Sequence, residues 1–180
     1  MFQDEARFGR ISQSKRSWCP RPVRPVALTM ICQESTYVYG AVSIEDGQWD
    51  SLLLPAANTN CMNVFLKEIA SRYPKDRIVM VLDGAGWHTA KSLVVPKNMK
   101  LLSLPSYSPD LNPVENIWDE LREKWFTNKV FDSLDALEEQ LIRGLKHLED
   151  SPKKVQSIAA WPWIVSAISA RKQQRKHDQK

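Results

Sequence analysis

Polar and apolar residues alternate weakly over residues 2–8, which predicts a short strand with Phe2 and Asp4 on one face and Gln3 and Glu5 on the other. A proline- and arginine-rich segment, 9–25, interrupts the pattern. Residues 26–32 and 36–44 are rich in β-branched and aromatic side chains, and the turn-forming Glu45-Asp46-Gly47-Gln48 leads into a further strand over 49–54. Three antiparallel strands are the simplest arrangement of this part.

Helical periodicity begins where Asn58 or Thr59 can cap a helix whose Met62, Phe65, Leu66 and Ile69 fall at i, i+3, i+4 and i+7, ending before Pro74. The continuous apolar run 77–82 predicts a strand buried on both faces, stopped by Asp83-Gly84-Ala85-Gly86. A short helix after His88 and a second buried strand over 99–104 follow. Val114, Ile117, Trp118, Leu121 and Trp125 form the apolar stripe of a helix over 113–125. Ser133 caps another, carrying Leu134, Leu137, Leu141 and Leu145, and residues 152–170 read as helical with Pro162 bending or breaking them. The fold class is α/β: a mixed sheet of three antiparallel and two parallel strands flanked by helices. In such sheets reactive groups gather at the carboxyl ends of buried strands, where Asp83 falls.

At 180 residues and 43% hydrophobic, the chain suits one domain spanning 1–180. Its net charge of +4 matters less than its placement. Residues 6–33 contain no Asp or Glu but include Arg7, Arg10, Lys15, Arg16, Arg21 and Arg24, and residues 171–180 hold five basic residues against one Asp. The 9–25 loop and a basic, disordered tail at 171–180 can face a polyanion such as DNA or remain solvated. Trp18, among the arginines of the loop, either stacks on an unpaired base or packs the loop onto the sheet.

Cys19, Cys32 and Cys61 are odd in number and lack Cys-x-x-Cys spacing, which supports neither a disulfide framework nor a zinc ribbon. No apolar run reaches membrane-spanning length, and acids stand near the N-terminus where a signal peptide has an apolar core. A cytoplasmic protein with no membrane partner is the expectation. Gly84 and Gly86 do not extend to a dinucleotide-binding fingerprint.

Three acids carry the candidate chemistry: Asp4 on the first strand, Asp83 at the end of a central strand and Glu115 at a helix start. Asn112 as N-cap and Pro113 at the first helical position place Glu115 where a capping box puts its glutamate, so a structural role competes with a chemical one. Three gathered carboxylates repel one another, and hard oxygen donors of this kind suit Mg²⁺ or Mn²⁺. Two such ions supply +4 against −3 and act on both attacking and leaving oxygens in a phosphodiester displacement.

The stretches Asp4-Glu5-Ala6-Arg7-Phe8-Gly9, Val81-Leu82-Asp83-Gly84-Ala85-Gly86-Trp87-His88 and Leu104-Pro105-Ser106-Tyr107-Ser108-Pro109-Asp110-Leu111-Asn112-Pro113-Val114-Glu115-Asn116-Ile117-Trp118 resemble the three acidic motifs of DDE transposases of the mariner-like superfamily, especially bacterial insertion-sequence enzymes. The resemblance covers roughly residues 1–145, and its third motif is the most specific. It implies a ribonuclease-H-like fold, with Asp4, Asp83 and Glu115 as catalytic metal ligands for two ions. It also implies DNA cleavage at element ends and strand transfer into target DNA, by a homodimer on DNA. Thirty-one residues separate Asp83 from Glu115, fewer than is usual in the superfamily.

Members of that superfamily usually carry an N-terminal helix-turn-helix region, for which this sequence offers no candidate; a fragment, a second reading frame normally fused to an upstream one that encodes the DNA-recognition region, and a decayed copy are the three open readings. A catalytically idle remnant that only binds or interferes, and a nuclease without strand transfer, are the competing functions. Glu5 is read as a salt-bridge or solvent residue, and Asp119 as a surface partner of Arg122 or an outer helper of the site. His88, similar to a recurrent histidine of the second motif, either orients Asp83, touches DNA or makes a local hydrogen bond.

Overall fold

A computed structural model of the protein describes residues 1–10, 20–22, 34–106 and 108–177, with 170–177 described by backbone alone. Strands β1 (Phe2–Gly9), β2 (Ser35–Val42) and β3 (Trp49–Leu54) form the expected antiparallel set. The strand expected over 26–32 lies outside the described residues. Gly47, at φ 72°, turns the chain between β2 and β3, a backbone angle that glycine adopts without a steric cost. Strands β4 (Ile78–Leu82) and β5 (Met99–Ser103) add in parallel beside β1, giving the order β3-β2-β1-β4-β5. The mixed sheet is the one expected.

Helix α1 (Thr59–Arg72) starts as predicted, with Asn58 accepting from the Cys61 N–H at 2.9 Å. Its Met62, Phe65, Leu66 and Ile69 pack on Tyr39, Met80 and Leu82 across one sheet face. The other face is covered by α2 (Val114–Leu121), α3 (Leu134–Glu149) and α4 (Pro152–Ala159), whose Trp118, Leu121, Leu141 and Val155 meet Phe8, Val38, Val42 and Trp49. Ser133 caps α3 by accepting from the Ala136 N–H at 3.1 Å.

Four expectations need correction. The apolar runs of β4 and β5 are buried on one face only: α2 and α3 lie over β1, β2 and β3, which leaves Val79 and Leu102 42% and 51% exposed. The short helix does not follow His88 but is a 3₁₀ turn, Gly86–His88, that ends on it, because the ring is fixed there by two carboxylates. The helix over 113–125 widens after Leu121 into a π-turn, Arg122–Phe126, which swings Phe126 onto Phe8 and Phe131 at ring separations of 5.2 and 5.7 Å. Finally, α5 (Pro162–His177) runs into the stretch read as a disordered tail, in keeping with the helix propensity of its Lys, Arg and Gln residues. Pro162 separates α4 from α5, as expected, by occupying the first position of the second helix.

Gly40 on β2 stands opposite Asp4, and a Cβ there would lie 2.2 Å from Trp49 Cη2 and 2.7 Å from Trp118 Cη2. Both rings are buried and cannot both retreat. Gly40→Ala is therefore expected to destabilise the fold by about 2–3 kcal/mol, lowering Tm by roughly 5–10 °C in a thermal melt. A parent-like Tm in that variant would show that the tryptophan pair is loose.

Candidate active site

The start of α2 is tied to β1 by one side chain. Asn112, 3% exposed, donates from Nδ2 to the Gln3 carbonyl at 2.9 Å and accepts at Oδ1 from the Val114 N–H at 3.2 Å. This brings Glu115, on the first turn of α2, beside the strand that carries Asp4. The capping box expected at Glu115 is not formed, because the Asn112 N–H donates instead to the Pro109 carbonyl at 2.8 Å across the preceding 3₁₀ turn. That turn satisfies the backbone group a capping glutamate serves, and the Glu115 carboxylate is left to line a cavity.

Asp4 points from the Phe2 face, as the alternation predicts, and its Oδ2 accepts from the indole N–H of Trp118 at 2.9 Å. Asp83 follows the last residue of β4, where Leu104 N–H still pairs with Leu82 O at 2.7 Å. Its Oδ1 accepts from the Ala85 N–H at 2.9 Å and lies 2.8 Å from His88 Nδ1. Asp4, Asp83 and Glu115 all line one cavity of about 410 Å³. Leu104, Pro105, Ser106, Ser108 and Pro109, from the third motif, form its wall.

The electrostatics record the crowding. Burial, then the charge of Glu115, pushes the Asp4 carboxyl up to about 7, against the downward pull of the Trp118 hydrogen bond. Burial also raises Glu115; Arg122 lowers it, and Asp119 and Asp83 raise it. Glu115 thus acts on Asp4, and Asp83 on Glu115, across the cavity.

Among the described residues, no three His, Cys, Asp or Glu side chains form a ready-made metal cluster. The cavity nonetheless fits a hard divalent cation: among the described residues its lining includes three carboxylates, hydroxyl and amide oxygens, and no Lys, Arg or His. A carboxyl held near 7 by burial and a like charge is one that a cation relieves.

The other sequence candidates divide. Arg7 is exposed, with Nε donating to Ser35 Oγ at 2.9 Å, and Arg21 is exposed. Arg10 serves the fold: its guanidinium, 11% exposed, donates to the Phe131 and Asp132 carbonyls and pairs with Glu34 at 2.7 Å. Lys15, Arg16, Trp18 and Arg24 lie outside the described residues. Asp119, 80% exposed, pairs with Arg122 at 3.8 Å, as expected, and does not line the cavity. Glu5 makes the expected salt bridge, with His88 at 2.9 Å, but is buried rather than solvated. Two roles escape the sequence pattern. Trp118 reads there only as core, although a buried indole N–H signals an acceptor nearby. Asn112 reads only as a cap, although its free amide has to find a second partner.

Residues 1–138 match the family described as DDE superfamily endonuclease. An uncharacterized protein of Sinorhizobium fredii, y4pE/y4sA, is 38% identical over 128 residues, 71% of this chain and 95% of that protein. The Tc3 transposase of Caenorhabditis elegans is 28% identical over 99 residues, 53% of this chain and 30% of that protein. Two structures of the mariner Mos1 paired-end complex, one with Mn and one with Mg, superpose with TM-scores of 0.60 and 0.53 at 20% and 18% identity, covering 89% and 88% of this chain. The chain spans about half the length of the Mos1 chains, 55% in each case. It belongs to the DDE superfamily endonucleases, and its ribonuclease-H-like fold is similar to that of the mariner Mos1 structures.

Proposed function

We propose that this chain is the catalytic domain of an insertion-sequence transposase, which cuts DNA at the element's ends and transfers the freed 3′ ends into target DNA. The observation that carries the reading is the convergence of Asp4, Asp83 and Glu115, from three separate elements, on one cavity. These three residues would hold two Mg²⁺ or Mn²⁺ ions. When bound, the ions supply Lewis acidity at the scissile phosphodiester.

The chain's own groups do the positioning. Trp118 fixes one oxygen of Asp4, the Ala85 N–H fixes one oxygen of Asp83, and Asn112 locks the start of α2 to β1 so that Glu115 faces both. Gly84 and Gly86 border open space, where a Cβ would meet nothing within 4 Å, so the backbone beside Asp83 leaves room for a nucleic-acid backbone. Arg7 and Arg21, with Lys15, Arg16, Trp18 and Arg24 of the same basic segment, would contact phosphates and an unpaired base without reading sequence. Arg10 would support that segment from within. A homodimer on DNA and a cytoplasmic location complete the proposal.

The test is incubation with a supercoiled plasmid bearing the flanking element ends. Nicking and joining are expected with Mg²⁺ or Mn²⁺ and not with EDTA. Binding without any cutting would favour the idle remnant, and cutting without joining would favour the nuclease. Nicking that persists in EDTA would sink the metal-dependent reading altogether.

A further inference from the structure

Glu5 lies on the opposite face of β1 from Asp4 and does not line the cavity, yet its side chain is only 6% exposed. Three donors converge on its Oε1: His88 Nε2 at 2.9 Å, Gln3 Nε2 at 3.0 Å and Trp87 Nε1 at 3.4 Å. A buried carboxylate is tolerated only with such partners. The other ring nitrogen of His88, whose side chain is 1% exposed, lies 2.8 Å from Asp83 Oδ1 and 3.2 Å from the Asp83 carbonyl. Asp83 Oδ1 also accepts from the Ala85 N–H, while Oδ2 has no hydrogen-bond partner among the described residues.

We propose that His88 and Glu5 form a positioning pair for Asp83. His88 holds one carboxylate oxygen against the protein so that the other faces the cavity, and Glu5 braces the ring from behind. The proposal rests on the reading of Asp83 as a metal ligand. The Asp83 side chain is 54% exposed and would otherwise sample several rotamers, so fixing it beforehand removes an ordering step from metal capture.

The geometry separates positioning from mere packing. In His88→Asn the amide nitrogen falls near the place of Nδ1 and can still donate to Asp83, but does not reach Glu5. In His88→Gln the amide reaches toward the place of Nε2 and leaves Asp83 without its donor. Gln is nearer to His in volume, so a role confined to filling space makes Gln the better substitute, whereas positioning makes Asn the better one.

Mn²⁺ affinity of the full chain, measured without DNA by electron paramagnetic resonance of free Mn²⁺, gives the readout, with folding checked by cooperative melting in EDTA. His88→Gln is expected to weaken Mn²⁺ binding about tenfold and His88→Asn to stay within about threefold of the parent. The reverse order, or parent affinity in both, overturns the proposal. Where neither His88 variant melts cooperatively, Glu5→Gln decides: binding about threefold to tenfold weaker supports the pair, and parent affinity overturns it. Asp83→Asn distinguishes the two levels. Parent affinity in that variant removes Asp83 as a ligand and the pair with it, whereas its loss of binding alongside parent affinity in the others removes the pair alone.

Discussion

Glu115→Gln is expected to abolish metal-dependent DNA cleavage, by about 10³-fold or more, while melting within about 1 kcal/mol of the parent. The expectation follows from where the backbone groups at the start of α2 find partners. Had Glu115 closed a capping box, its carboxylate would be engaged with the Asn112 N–H, and glutamine would serve nearly as well. That N–H is already satisfied by the Pro109 carbonyl at 2.8 Å, and the Glu115 carboxylate lines the cavity with Asp4 and Asp83. Glutamine keeps the volume and the helix, and removes a charge whose burial, with repulsion from Asp119 and Asp83, raises Glu115, so the fold loses little. What it removes is a hard anionic donor, for which a neutral amide is a weak substitute at Mg²⁺. Asp119→Asn is the control, since that side chain is 80% exposed and points away to Arg122; it is expected to keep activity within about threefold. Plasmid nicking decides the matter. Full activity in Glu115→Gln with loss in Asp119→Asn would move the third acid one turn along the helix.

The sequence made the elements legible where a single periodicity governed them. The alternation over β1 assigned Asp4 and Glu5 to opposite faces, and the apolar run of β4 put Asp83 at a strand end. The same run misled about burial, because an apolar strand announces its own preference and not which helices will cover it; Val79 is exposed since α3 lies over β2 and β3 and α2 reaches only as far as β1. Charge alone grouped Arg10 with the arginines expected to face DNA. Its actual partners are two carbonyls more than a hundred residues away in the chain, a long-range contact that no local pattern encodes. The links from Trp118 to Asp4 and from His88 to Glu5 are of the same kind, joining residues 114 and 83 positions apart. A buried indole and a histidine beside an acid announce that a partner is needed, and only the fold says which one.

In the absence of metal, the stability of the parent is expected to fall by up to about 4 kcal/mol relative to Asp4→Asn as pH rises from about 4 to 8. The sign follows from the raised pKa. Asp4 titrates near 3.8 in an unfolded chain and at about 7 in the fold, so between those values the folded state holds a proton that the unfolded state has released. Each step up in pH across that window therefore favours unfolding, and the loss is complete above 7, where both states are ionised and the folded carboxylate is buried beside Glu115. His88 acts in the same direction: burial alone lowers its pKa, but the Glu5 hydrogen bond and charge, with Asp83, raise it overall. Its contribution is present below about 6.5 and lost as pH rises through the raised value. His88 is present in both chains, so the difference between them isolates Asp4. Asparagine keeps an acceptor for the Trp118 indole and carries no charge, so the variant should show a flatter profile. The measurement is urea unfolding in EDTA at pH 4.5, 6 and 7.5 for both proteins. Parallel profiles would mean that the Asp4 carboxyl is not held up by burial and Glu115. Repeating the series with Mn²⁺ should raise the parent most at pH 7.5, where the ion meets an ionised Asp4 it need not deprotonate, and should raise Asp4→Asn far less. Destabilisation without metal and capture of metal then have one origin, the burial and crowding of negative charge at the meeting of β1, β4 and α2.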